Sequence, residues 1–430
     1  MHGSLQAGYC RDWAPMPIGS HYMVRKTALQ SLVHKRNGQV VSVGTLGPEL
    51  AEDHTTGLAM NSAGWHGAFA LNAIAHGDGA GSFADSVTQE FQWAGSLMRT
   101  LLIWTKGYWS GLPLRLKFEY AFAQGWYPLY AVFMLMGFLF PIIALVTGQP
   151  WVNVLLPEFI LRAFVLSLAG IIVMSFIKRN GWLRPANTPI ASWEMVFFQF
   201  IRWPWVLYAC LQAALSVLFN KEFTFKVTPK GWKVAKPLPF VAVLPYVIIM
   251  LVEAGAAILI NDPVKAGGYY YFCIAYSLTY MVVLAAIIIL HVKENWSKLD
   301  IPVVKYVGKP MAYAVIMAVY VMFAFTLRSD IVFRTIIPDV GPYRSYIASA
   351  ISQDIISAKQ GGQVLLSAAV DYISNNLPAD ILPYTIIVVG TTIWICLIGI
   401  LVRLTLGTSA RRPKKLFHPS QRSIFEEPSS

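Results

Sequence analysis

From residue 126 onward the chain alternates long apolar runs with short polar ones. Five runs, at 126–147, 155–176, 238–260, 269–292 and 384–404, can each cross a hydrocarbon core, which takes about 20 residues. A sixth, 311–327, is shorter but still within the usual range. Each predicts a transmembrane helix, because a helix satisfies its backbone polar groups internally, as lipid requires. Residues 1–95 mix polar and apolar positions at short spacing, with glycine-rich turns such as Gly77-Asp78-Gly79-Ala80-Gly81. That pattern predicts short strands and helices. In residues 96–125, Arg99, Lys106, Arg115 and Lys117 alternate with Leu, Trp, Tyr and Phe. An amphipathic stretch of this kind lies along a membrane surface.

Composition agrees with lipid as the solvent. Charged residues make up 13% of the 430 positions and hydrophobic residues 56%, whereas soluble domains carry roughly a quarter charged. Mean hydropathy is +0.52. The first 50 residues show no basic stretch followed by an apolar core, so no secretory signal is predicted. Cys10, Cys210, Cys273 and Cys396 are scattered, without disulfide or zinc spacing, and read as small core residues.

The placement of the +12 net charge sets the topology. Lys and Arg gather at 178–184, 221–236, 293–309 and 411–415, while the loops 148–153 and 261–268 hold almost none. By the positive-inside rule the basic loops are cytoplasmic. They flank apolar spans and form no basic-aromatic stripe on a soluble domain, so nucleic acid is not an expected partner. Residues 192–219 are apolar enough to count as a span, yet a span there would put two basic loops on opposite sides. The segment is therefore expected in the interface, with Trp193, Trp203, Trp205 and Tyr208 at headgroup level and Pro204 interrupting the helix. Six spans follow, with both chain ends cytoplasmic, residues 329–383 external and helix-like around 347–374, and a basic tail from 405 to 430. No internal repeat is visible, and the paired broken helices of small-solute transporters are missing from the pattern.

Three short motifs carry candidate chemistry. Glu52-Asp53 offers carboxylates that can act as a general base on a hydroxyl. Taken alone, such a pair more often marks a solvated helix start. Gln89-Glu90-Phe91-Gln92-Trp93 offers amides for phosphate oxygens or hydroxyls and an indole to stack on a sugar face; in isolation it also reads as an interfacial anchor. Phe225-Lys226-Val227-Thr228-Pro229-Lys230-Gly231 offers Lys charge and a Thr hydroxyl for an anionic ligand, or a basic loop touching lipid phosphates. Among other polar residues, Glu158 and Arg162 read as a structural helix pair. Glu253, costly in lipid, is expected to face the protein interior. His54, His66 and His76 read as surface residues.

In their order and spacing these motifs resemble membrane-embedded family 2 glycosyltransferases, especially the bacterial cellulose synthase catalytic subunit and its relatives. The stretch from Ile18-Gly19-Ser20 to Arg25-Lys26 resembles the family's glycine-serine segment leading to a basic pair. Ala51-Glu52-Asp53 with the later Gly64-Trp65 resembles its Thr-Glu-Asp motif and following Gly-Trp. Gln89 to Trp93 is similar to Gln-x-x-Arg-Trp, and Phe225 to Lys230 matches the Phe-x-Val-Thr-x-Lys gating loop at its four fixed positions. The similarity covers about residues 11 to 300.

The resemblance implies an acceptor-side part of an α/β GT-A-type domain over 1–95, with interface helices over 96–125. The channel region then spans 126–292, with its interfacial helix at 192–219 and gating loop at 221–236. It implies that Asp53 is the general base and that Glu52 belongs to the same substrate site. Gln89 and Gln92 would lie near the donor diphosphate, and Trp93 under the terminal acceptor sugar. Phe225, Val227, Thr228 and Lys230 would close over bound nucleotide. The donor would be a nucleotide sugar of the UDP type, with Mg2+ or Mn2+ in the complete domain, and the glycan would leave through the spans. Two departures stand out. Gln92 replaces the motif's arginine and supplies neither charge nor a bidentate fork. No Asp-x-Asp metal motif occurs in the chain, so an N-terminally truncated synthase, inactive by itself, is expected. The alternative is a non-enzymatic membrane protein for glycan export or complex assembly.

Overall fold

The computed structural model describes residues 22–36, 39–46, 51–70, 79–149, 156–183, 187–223, 237–261, 263–296 and 303–336. The chain divides at 338/339 into two compact units, and these residues all lie in the first. The expected span at 384–404, the helix-like stretch at 347–374, the tail, and Phe225, Val227, Thr228 and Lys230 lie outside them. So do the side chains of Glu158 and Arg162.

A short helix, α1 (Lys26–Ser31), leads into an antiparallel hairpin of β1 (Val33–Arg36) and β2 (Gln39–Val43), with Val33 opposite Val43. His34 is fully buried beneath the hairpin. Its Nε2–H donates to the Gly44 carbonyl, which leaves Nδ1 to accept from the Tyr108 hydroxyl. Helix α2 (Glu52–Ser62) starts after Ala51, which holds a left-handed φ of 49°. Helix α3 (Phe83–Ile103) is capped by Ser82, whose Oγ accepts from the Asp85 amide at 3.2 Å and donates to its carboxylate at 2.8 Å. A four-residue α4 (Thr105–Tyr108) and one 3-10 turn (Trp109–Gly111) then turn the chain toward the membrane.

Helix α5 (Leu114–Thr147) runs 34 residues without a break and ends at Gly148 in the left-handed region, φ 66°. At 1.5 Å per residue it is about 50 Å long, well beyond the ~30 Å hydrocarbon core. Its basic first turns, with Arg115 and Lys117, therefore lie outside the lipid tails and its apolar remainder inside. The last part of the surface stretch, 114–125, and the first span are one continuous helix. Pro128 and Pro141 do not stop it.

The remaining helices are α6 (Leu156–Arg179), α7 (Trp193–Leu218), α8 (Phe240–Leu259), α9 (Pro263–Asn295) and α10 (Val303–Ile336). Among the described residues, α5, α7, α8, Gly268–Asn295 of α9 and Tyr306–Ser329 of α10 are long and apolar enough to cross a membrane. Helix α6 has 24 residues and leaves Phe164, Leu166 and Ile172 exposed, as a lipid-facing helix would. Helices α5, α7, α8, α9 and α10 share one core, which includes Phe138, Trp203, Tyr246, Met250, Tyr280 and Val321. Glu253 faces the protein interior as expected, 1% exposed. Trp203 is buried, stacked on Phe138 with ring centroids 5.1 Å apart.

Candidate functional site

Glu52 and Asp53 occupy the first turn of α2, where the helix dipole favours carboxylates, and both are partly exposed. Asp53 Oδ1 accepts from the His54 amide at 2.7 Å. Tyr22 lies beside them: burial raises its hydroxyl pKa, and the charges of Glu52 and Asp53 raise it further. A solvent-reachable carboxylate at a fixed helix start is suited to taking a proton from a hydroxyl.

His54 is not the surface residue expected. It is buried edge-on against Tyr120, with centroids 5.4 Å apart, and its Nε2 accepts from Gln124 Nε2 at 3.0 Å. Thr105 Oγ1 donates to the other end of that amide, Gln124 Oε1, at 2.9 Å, which fixes the amide's orientation. Burial lowers the imidazole pKa from 6.5 to about 4, against an opposing pull from Asp53. Tyr120 donates to Asn61 Oδ1 at 2.7 Å, and Thr55 Oγ1 lies 3.1 Å from Thr100 Oγ1. The carboxylate-bearing helix is thus bonded to α3 and to the foot of α5.

The second motif lies in the second and third turns of α3, and its residues diverge. Gln89 lines a cavity of about 370 Å3 between the start of α3 and the end of α9. Gln92 is 3% exposed and turned into the protein, its Oε1 without a hydrogen-bond partner. Trp93 is 51% exposed, presenting an indole face to any ligand or surface on that side. Glu90, within the motif but passed over in the sequence, makes a buried ion pair with Arg202 of α7 at 3.0 Å. The guanidinium also lies over the rings of Tyr127, Tyr130 and Phe198, at 5.0 to 5.4 Å. Burial raises the Glu90 pKa and Arg202 pulls it back down. An arginine inside an apolar run needs a counter-charge, and that was the available signal.

The third motif begins beyond the last described residue of its loop, Phe223. That ring stacks on Phe91 at 6.1 Å, and Arg99 lies over it at 5.5 Å. Gly95 gives it room, since a Cβ there would stand 2.5 Å from Phe223 Cζ. The chain leading into 224–236 is therefore seated on the same helix that carries Gln89 and Trp93.

Among the described residues no three His, Cys, Asp or Glu side chains come together as a metal site would require. Glu52 and Asp53 are adjacent in one helical turn and do not form a divalent-cation cradle between them.

Searches of curated proteins and of solved structures returned no match. Residues 1–148 match the family model described as Glycosyl transferase family group 2, a segment that takes in both motif-bearing helices and ends one residue past α5.

Proposed function

We propose that the chain forms the acceptor-side part and membrane channel of a cellulose synthase-like polysaccharide synthase. The observation that carries this reading is the extent of the family match. It includes the whole of α5, so the soluble motifs and the first membrane helix belong to one matched segment. In this reading Asp53 removes the proton from an acceptor hydroxyl. That oxygen attacks the anomeric carbon of a nucleotide sugar, the bond to the diphosphate breaks, and the configuration inverts. Trp93 holds the terminal acceptor sugar by stacking. Residues 221–236 act as the gating loop at the nucleotide.

The topology follows the charge pattern. Helix α7 lies along α3, bonded through Glu90 and Arg202. Because α3 is an amphipathic helix bearing Asp85, Glu90 and Arg99, its partner α7 rests at the cytoplasmic interface. Both chain ends are then cytoplasmic, and the protein sits in a plasma (inner) membrane.

Donor, metal and polymer are read from the family. A UDP-type nucleotide sugar with Mg2+ or Mn2+ is the donor complex, and the 430 residues contain no Asp-x-Asp to hold it. We therefore expect no nucleotide release when the purified chain is given a panel of UDP-sugars with either metal. Turnover would overturn that expectation. The family reading itself is tested by the DNA upstream of the Met1 codon. An in-frame stretch encoding Asp-x-Asp supports the synthase. A stop codon there, with no neighbouring gene for the donor half, favours a non-enzymatic export or assembly protein.

A further inference from the structure

The cavity beside Gln89 has an unusual lining for a site near a diphosphate. Its volume of about 370 Å3 falls at the small end of ligand pockets, which run about 300–1,000 Å3. Ser86 and Gln89 face it from α3, and His291 and Glu294 from the last turns of α9. Phe83 and Phe197 supply apolar walls. Among the described residues no lysine or arginine lines it, and a carboxylate does.

Two further physical facts argue against an anion. The first turn of α3 brings the positive end of a helix dipole, but the last turn of α9 brings a negative end, so the backbone fields oppose one another. Glu294 then adds negative charge, which repels phosphate. What remains is a balanced box of amide, hydroxyl, imidazole and carboxylate groups between aromatic walls. A pyranose has that same division: hydroxyls around its rim and C–H faces above and below. His291 is 1% exposed, so its ring is held rigidly by its surroundings. Rigid polar groups discriminate hydroxyl orientation far better than an apolar pocket discriminates size.

We propose that this cavity binds one neutral sugar unit, at a place separate from the exposed Trp93 face, with Gln89, His291 and Glu294 selecting among hydroxyl configurations. The proposal rests on the glycan reading above and changes one part of it: Gln89 contacts sugar hydroxyls rather than diphosphate.

The test titrates the purified 430-residue protein in detergent with gluco-, manno-, galacto- and N-acetylglucosamine disaccharides, followed by saturation-transfer NMR. At least one should bind. Ser86→Trp, which fills the cavity, should weaken that binding by about tenfold or more in a Trp93→Ala background, where the exposed stacking face is already gone. Glu294→Gln should change the order of preference among the four sugars, and excess inorganic pyrophosphate should displace none of them. A thermal melt checks that Ser86→Trp folds, and Gln89→Leu serves as a milder second block. Binding abolished by Trp93→Ala alone, or unchanged when Ser86→Trp is added to it, overturns the pocket and leaves the synthase reading standing. Displacement by pyrophosphate, or no binding by any sugar, overturns the pocket outright.

Discussion

The Tyr280 hydroxyl donates to the Phe200 carbonyl at 3.1 Å, and Phe200 is the residue whose carbonyl Pro204 leaves without its helical partner. The neighbouring carbonyls are met in the same way. Tyr246 donates to the Ile201 carbonyl at 2.6 Å, and Tyr130 to the Gln199 carbonyl. Tyr280 thus meets the carbonyl that Pro204 frees, and the three tyrosines from α9, α8 and α5 tie the four helices together. Trp203 adds a bond from its Nε1 to the Tyr280 oxygen at 2.5 Å.

Tyr280→Phe should therefore destabilise the bundle by about 1–3 kcal/mol, the cost of a buried acceptor left unmet. Pro204→Ala returns a backbone N–H that can reach the Phe200 carbonyl. In that background the same Tyr280→Phe change should cost less. A double-mutant cycle on unfolding in detergent measures the difference. Equal costs in the two backgrounds would show that the hydroxyl is not serving the broken helix.

The Glu90–Arg202 pair predicts an asymmetry. Glu90→Ala strands a guanidinium that is 12% exposed, and should cost about 3–5 kcal/mol. The double change Glu90→Leu with Arg202→Met removes both charges and should recover most of that loss. If the double variant melts no higher than the single one, the ion pair is not what joins α3 to α7.

These cases show what the sequence could and could not reveal. Apolar runs exposed the spans because lipid imposes a length and forbids charge. Their ends were misplaced where a basic, amphipathic turn continues the same helix, as at Leu114 in α5 and Val303 in α10. Glu253 faces inward, as its charge in an apolar run suggested. His54 went the other way, since its partners Tyr120 and Gln124 lie 66 and 70 positions away, beyond any local pattern. The cavity at Gln89 was hidden for the same reason: two of its polar lining residues, His291 and Glu294, come from the end of α9.

Two glycines mark close approaches of different severity. At Gly111 a Cβ would stand 2.5 Å from the Ser62 carbonyl oxygen, which is backbone and cannot rotate away. At Gly95 the obstacle is the Phe223 ring, which can shift at the expense of its stack on Phe91. Gly111→Ala should thus destabilise more than Gly95→Ala, with both on the order of 1–3 kcal/mol. Phe223→Leu should relieve only the Gly95 variant, as read by thermal melts of the four proteins.

His54 makes the attachment of α2 dependent on pH. Its imidazole has a pKa of about 4 in the folded protein against 6.5 for an unburied histidine. Between those values the unfolded chain binds a proton that the folded one refuses, so stability rises with pH across that window. The contribution of the neutral ring is full above about pH 6.5 and is lost as pH falls toward 4. Protonation would put an N–H where Nε2 now accepts from Gln124, whose oxygen is already held by Thr105. Hydrogen exchange of Glu52–Ser62 should therefore quicken between pH 7 and pH 5 in the native protein. In His54→Gln, which keeps a polar group at the site but cannot titrate, the same acidification should change the protection of α2 much less. Parallel pH dependence in the two proteins, after correction for intrinsic exchange, would remove His54 as the source of the acid sensitivity.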